Sequence, residues 1–149
     1  MRKILIFILF LLTSCGFEPL YSNKNTNQFI FETVEMIGSK KVNRRIISAI
    51  SIKENKQNFS HKKITLKSKK SIFETSKNSK GVPDSFKMII KLELILENND
   101  NTLSKKEFSE EFSYKNKDNK FDLSEYEIDV ENNLVDKIIE NLIIYLNIQ

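Results

Sequence analysis

The hydrophobic patterning of this chain predicts an α+β domain with the element order β-α-β-β-β-α. Three observations carry that expectation: unbroken alternation from Phe86 to Leu96, an apolar period of 3.6 residues on both sides of the central strands, and turn-forming clusters between them. At 149 residues the chain has room for a single modest core, and no internal repeat or second domain is visible.

Phe29 to Ile37 is rich in β-branched and aromatic residues, interrupted by Glu32, Thr33 and Glu35. It reads as the first strand, ended by Gly38-Ser39. Val42, Ile46, Ala49 and Ile50 fall on one helical face, with Ser39 placed to cap it. Lys53 stops the stripe, so this helix is expected to end near Ile52. Arg44 lies off the apolar face and Arg45 at its edge, positions that suit a solvated rim. Further on, Ile64 and Leu66 face one side of a second strand while Lys63, Thr65, Lys67 and Lys69 face the other. Phe73 has the opposite parity from Ile64 and Leu66, which predicts a bulge at Lys69-Lys70. Gly81-Val82-Pro83-Asp84 is a loop by composition.

Phe86, Met88, Ile90, Leu92, Leu94 and Leu96 then alternate against Lys87, Lys91, Glu93 and Glu97, the pattern of a central strand. Asn98 to Thr102 turns the chain, and Phe108, Phe112 and Tyr114 continue an apolar face broken by Glu110, so the two strands form a hairpin. From Phe121 the helical period returns through Tyr126, Val130, Leu134, Ile138, Leu142 and Tyr145, flanked by Val135, Ile139 and Leu146. Asp122 and Glu125 have the spacing of a capping box for this long helix.

Composition excludes several classes of function. Lys, Ile and Asn supply 21, 20 and 16 residues, a bias expected of an AT-rich genome, so lysine abundance says little by itself. The formal charge of +4 falls to +2 without Arg2 and Lys3, far below what binding to a phosphate backbone usually takes; nucleic acid is not an expected partner. Cys15 is the only cysteine and His61 the only histidine, so neither an internal disulfide nor a zinc site can be built. His61, beside Lys62 and Lys63, suits an exposed turn and leaves a serine nucleophile without a second base. Glu110 and Glu111 point to opposite faces of a strand, the wrong arrangement for a two-carboxylate hydrolase. The chain reads as a non-enzyme, with no catalytic residues, no metal and no cofactor.

The N-terminus specifies an address. Met1-Arg2-Lys3 is cationic, Ile4 to Leu12 is uninterruptedly apolar, and Thr13-Ser14-Cys15 follows. As a helix the apolar run rises only about 14 Å against a hydrocarbon core of about 30 Å, too short to remain as a span. Leu12-Thr13-Ser14-Cys15 has the form of a lipoprotein processing site, in which the Cys15 thiol receives a diacylglyceryl group. Residues 1–14 are then a signal peptide, residues 15–28 a lipidated start and polar tether, and residues 29–149 one domain. Several acyl chains on Cys15, S-linked diacylglycerol and an N-linked group such as palmitate, make such attachment effectively permanent. With Gly16 after the cysteine, the expected destination is the outer membrane, on its periplasmic side.

Cys15-Gly16-Phe17-Glu18-Pro19-Leu20-Tyr21 closely resembles the mature start of the LPS-assembly lipoprotein LptE family in its alphaproteobacterial form, Cys-Gly-Phe-x-Pro-Leu-Tyr. The six specified positions match. The variable position, usually basic, is Glu18 here, so a cationic role is not carried over. The resemblance implies a small layer of two helices on one face of a four-stranded sheet. It also implies a protein that plugs the large β-barrel LptD, assists its assembly and contacts lipopolysaccharide on its way to the cell surface. Lys63, Lys67 and Lys69 on one strand face, with Lys62 and Lys70 at its edges, form the densest basic cluster and would suit the phosphates of that lipid. The alternative is another lipid-binding or transporter-auxiliary envelope lipoprotein. An enclosed apolar pocket between sheet and helices would favour that alternative; a filled core would favour a plug.

Overall fold

A computed structural model describes residues 29–56, 62–98 and 103–148. The processing site, Cys15 and its motif, the tether, His61 and most of the Asn98 to Thr102 turn lie outside the described residues. The elements are β1 (Ile30–Phe31), β2 (Thr33–Gly38), α1 (Lys40–Ile50), β3 (Lys53–Glu54), β4 (Lys63–Lys77), β5 (Pro83–Glu97), β6 (Leu103–Lys115) and α2 (Lys120–Ile148).

β5 is central, as its alternation requires. It pairs antiparallel with β4 on one side and β6 on the other, and β2 adds parallel to β4, giving the order β2-β4-β5-β6. The parallel step needs a crossover, which α1 supplies between β2 and β4. In register, Ile64 lies opposite Leu96, Leu66 opposite Leu94, and Leu92 opposite Phe108, so one face of the sheet is continuously apolar. Both helices cover that face. Val42, Ile46 and Ile50 of α1 and Leu134, Ile138 and Leu142 of α2 are buried against Ile64, Leu66, Met88, Ile90 and Leu92. Burying each such side chain contributes roughly 1.5–3 kcal/mol, and without disulfides this layer is what holds the fold.

Gly38 positions α1. Its φ of +88° is accessible to glycine, and a Cβ there would stand 1.9 Å from the Ser68 carbonyl oxygen on β4. The neighbouring Ser39 N–H donates to that same carbonyl, and the Ser39 side chain caps α1 by accepting from the Val42 N–H. Asn43, fully buried, donates to the Ile37 carbonyl at 2.9 Å and ties the helix back to the strand it leaves.

Several expectations are corrected at the level of elements. The first strand is split at Glu32, whose N–H donates to the Lys62 carbonyl at 2.8 Å, and its opening piece, β1, pairs with β3. In α1 the buried face is Val42, Asn43, Ile46 and Ile50; Ala49 is exposed because the layer below meets the helix on the Asn43 side. The helix ends at Ile50, where Ser51 turns left-handed at φ 57° and its N–H closes the last turn. No bulge occurs at Lys69-Lys70, since the β4–β5 register runs without a break from Lys63 to Glu74 and shifts only around Ser76. Phe73 simply faces away from the core and is 53% exposed. Asn119, not Asp122, caps α2: its side chain accepts from the Phe121 N–H and its carbonyl from the Leu123 N–H.

Candidate functional site

The face of the sheet turned away from the helices carries the candidate cations. Lys63, Thr65, Lys67 and Lys69 of β4 stand there beside Lys87, Lys91, Glu93 and Glu97 of β5 and Lys105, Glu107 and Glu111 of β6. Cross-strand register converts most of these charges into ion pairs. Lys63 Nζ lies 2.9 Å from Glu35 and 3.4 Å from Glu97, Lys91 lies 3.2 Å from Glu107, and Lys87 lies 3.0 Å from Glu111. Glu93 pairs with Lys105 and sits 4.0 Å from Lys67. A hydrogen bond and the charge of Lys63 hold the Glu35 carboxyl below its ordinary range, and the same contact raises Lys63. Lys105 does the same to Glu93.

Lys69 is the exception. It lies opposite Lys91, a like charge, and has no carboxylate partner among the described residues. Lys67, Lys69 and Lys91, with Ile37, Glu93 and Glu107, line an open basin of about 220 Å³. Lys91 already meets Glu107 and Lys67 lies near Glu93 in the same basin, so Lys69 is the ammonium group there left to receive a phosphate or other oxyanion. Lys91 was not part of the sequence-derived cluster. It is distant in sequence from Lys67 and Lys69, and only the β4–β5 register brings it to them.

The other two cations of that cluster separate from it. Lys70 has the parity of Leu66 and Ser68, so it points toward the helices, where its Nζ meets the Glu131 carboxylate at 2.6 Å. Glu131 is buried and also receives Lys41 at 3.0 Å. Burial opposes its ionisation, yet the hydrogen bonds and charges of Lys70 and Lys41 outweigh it and leave the carboxyl below its ordinary range. Lys70 is therefore committed to structure. Lys62 is exposed at the end of the domain where the described chain enters, beside an open crevice of about 300 Å³ lined by Phe29, Phe31, Leu96 and Leu146. Arg45 bridges the helices, donating to Asn132 and, at 2.9 Å, to both carboxylate oxygens of Asp136.

Between sheet and helices the core is filled. Ile46, Ile64, Leu66, Met88, Ile90, Leu92, Ile138 and Leu142 are essentially inaccessible, and the larger crevices open at the rim. Tyr114 is buried at the β6 end of the core; burial and its hydrogen bond to Glu127 at 2.7 Å push its phenol well above the ordinary value. Among the described residues no group of three His, Cys, Asp or Glu side chains converges, and no helix is long and apolar enough to cross a membrane.

An α+β layer of this order, two helices on one face of a mixed four-stranded sheet, is the fold of several solved bacterial lipoproteins. Rare lipoprotein B from Shewanella oneidensis is similar at a TM-score of 0.58 and 11% identity, over 78% of this chain and 96% of that one. A minor lipoprotein from Acinetobacter baumannii matches at 0.52 and 6% identity, over 76% and 89% of the two chains. Lipoprotein B from Nitrosomonas europaea matches at 0.50 and 14% identity, over 76% and 81%. No protein-family model matches the chain, and no curated protein matches it in sequence. The likeness is therefore one of fold.

Proposed function

We propose that this protein is an outer-membrane lipoprotein, acylated at Cys15, that plugs an LptD-type β-barrel and helps it assemble for lipopolysaccharide export. The observation that carries the reading is the pairing of the Cys15-to-Tyr21 motif with a filled two-layer domain of the lipoprotein B fold. Among the described residues the core between sheet and helices is filled, which weighs against the lipid-carrier alternative. A polar outer surface suits the lumen of a barrel, whose inner wall is polar. Its mechanism is binding, not turnover. In this reading the basin meets phosphate groups of the lipid chiefly through Lys69, with Lys91 and Lys67 beside Glu107 and Glu93 at its wall and Lys63 paired with Glu35 and Glu97.

Affinity purification of the acylated protein from outer membranes is the decisive test. A barrel of LptD size is expected to co-purify, and its absence would overturn the reading. Reversing Lys67, Lys69 and Lys91 to glutamate is expected to weaken binding to lipopolysaccharide micelles by at least about ten-fold, given that hydrogen bonds to charged groups contribute roughly 1.5–3 kcal/mol each. Reversing Lys62 is expected to matter less. Unchanged micelle binding in the triple variant would remove the basin from the proposal while leaving the plug standing.

A further inference from the structure

The crevice of about 300 Å³ lies at the end of the domain where the described chain enters. Phe29 and Phe31 from that entry, Leu96 from the end of β5 and Leu146 from the last turn of α2 give it an apolar floor. Lys62, Lys63 and Glu97 stand at its rim. Lys63 and Glu97 face each other at 3.4 Å, and Lys63 also meets Glu35 at 2.9 Å. Lys62 is exposed and has no carboxylate partner among the described residues. The crevice therefore suits an apolar group accompanied by a negative charge. Its volume is at the small end of clefts that hold a ligand, roughly 300–1,000 Å³, which is room for a pair of side chains. The acyl chains of a lipid anchor gain more by staying in the bilayer.

The chain carries such a segment at the matching distance. Phe17-Glu18-Pro19-Leu20-Tyr21 precedes the domain, and only the polar run Ser22 to Gln28 separates it from Phe29, which itself lines the crevice. Leu20 is nine residues before Phe29, so the chain between them reaches at most about 30 Å and as a coil spans about 17 Å. Ser, Asn and Thr dominate that run, and such residues readily reverse a chain. Pro19 fixes its own φ and biases Glu18 toward extended backbone. At three residues per turn of polyproline geometry, Phe17 and Leu20 share one side, with Glu18 next to them. A tether this short raises the local concentration of the segment to the millimolar range, so a shallow site is enough to hold it.

We propose that Phe17 and Leu20 dock in this crevice with Glu18 against Lys62, so that the residues after Cys15 close onto the domain as a clasp. The docking goes beyond the plug reading and needs no barrel. One consequence does rest on acylation at Cys15: only Gly16 and Phe17 then separate the lipidated residue from Glu18, which holds the crevice end of the domain within about 10 Å of the bilayer surface.

Disulfide trapping in the full acylated chain, purified in detergent, tests the docking. Acylation uses the Cys15 thiol, so two introduced cysteines are the only free ones, and intact mass reports the acyl groups separately. Glu18→Cys with Lys62→Cys is expected to close an intramolecular disulfide, read as a monomer of altered mobility that reverts on reduction. Glu18→Cys with Lys69→Cys is the control. Lys69 lies about 24 Å beyond Lys62 along β4, still within the roughly 37 Å that the chain from Phe29 back to Glu18 can span. This second pair is expected to close at least about ten-fold more slowly. Adding Leu20→Asp to the first pair is expected to slow it to the control rate. That change lies outside the domain, and an unaltered unfolding midpoint checks that the domain is intact. Equal rates for the two pairs, as an undocked tether gives, or a rate indifferent to Leu20→Asp overturns the proposal. Background rates in both pairs overturn it too and leave the crevice to a partner's side chains. No barrel is present in the sample, so failure here is distinct from failure of co-purification.

Discussion

The two faces of the sheet are made by the same three long strands, and they are held by different physics. Toward the helices, Met88, Ile90, Leu92 and Leu94 of β5 are inaccessible, and the ionic cluster of Glu131 with Lys41 and Lys70 is drawn into that layer. Away from them, lysine and glutamate alternate across strands as ion pairs whose members remain in solvent. Exposed pairs contribute little to stability because water screens them and their side chains lose freedom in forming them. The stabilising face is thus the covered one. The outer face is free to be specified by recognition, and there a basin lined by lysines includes Lys69, which lacks a carboxylate partner among the described residues.

Substitutions graded across the two faces would sharpen or break this contrast. The largest effect is expected at the junction that seats α1: Gly38→Ala forces a Cβ into the Ser68 carbonyl at a left-handed φ and should cost about 4 kcal/mol in chemical denaturation. Next comes Leu92→Ala at the centre of the covered face, where lost burial and the residual cavity should cost about 3 kcal/mol. Glu131→Leu follows at about 2 kcal/mol, since Lys70 loses its carboxylate at a partly buried position while Lys41 can return to water. Smallest of all, Lys87→Ala and Lys91→Ala should leave the unfolding midpoint within experimental spread, in low salt as in high. A loss on the outer face comparable to Leu92→Ala would break the comparison.

Acid offers a further way to separate the faces. The native Glu131 carboxyl lies below its ordinary value of 4.5, so the unfolded chain binds a proton there more readily than the folded one. Its contribution is fully present above that ordinary value and is lost as the pH falls from there through the lowered native value. Glu131→Gln is expected to flatten this part of the stability profile, measured by denaturation at a series of pH values. An acid limb unchanged in the variant would assign the loss to other carboxylates.

Much of the fold was legible in the sequence where a pattern is local. The alternation of Phe86 to Leu96 placed β5 at the centre, and the stripe from Val130 to Leu142 gave α2 its buried face. Errors gathered where a longer-range partner decides. Ala49 fits the helical stripe as well as Asn43 does, and only the Ile37 carbonyl below the helix selects Asn43 for burial. The parity change before Phe73 suggests a bulge only if Phe73 must be inside, and the structure leaves it outside. At the candidate site the lysines of β4 were visible as a row. Their division into a paired Lys63, an unpaired Lys69 and an inward Lys70 was not, because the glutamates concerned come from β2, β5 and α2.

By itself, then, the sequence determined the order of the elements, the faces they bury and an expected lipid address at Cys15, since each of these rests on spacing within a single segment. Tertiary structure decided which charges are spent on one another. Whether a carboxylate neutralises an ammonium group depends on strand register: β5 runs antiparallel to β4 and sets Lys91 opposite Lys69, so Lys69 has no carboxylate partner among the described residues while Lys91 pairs with Glu107 on β6.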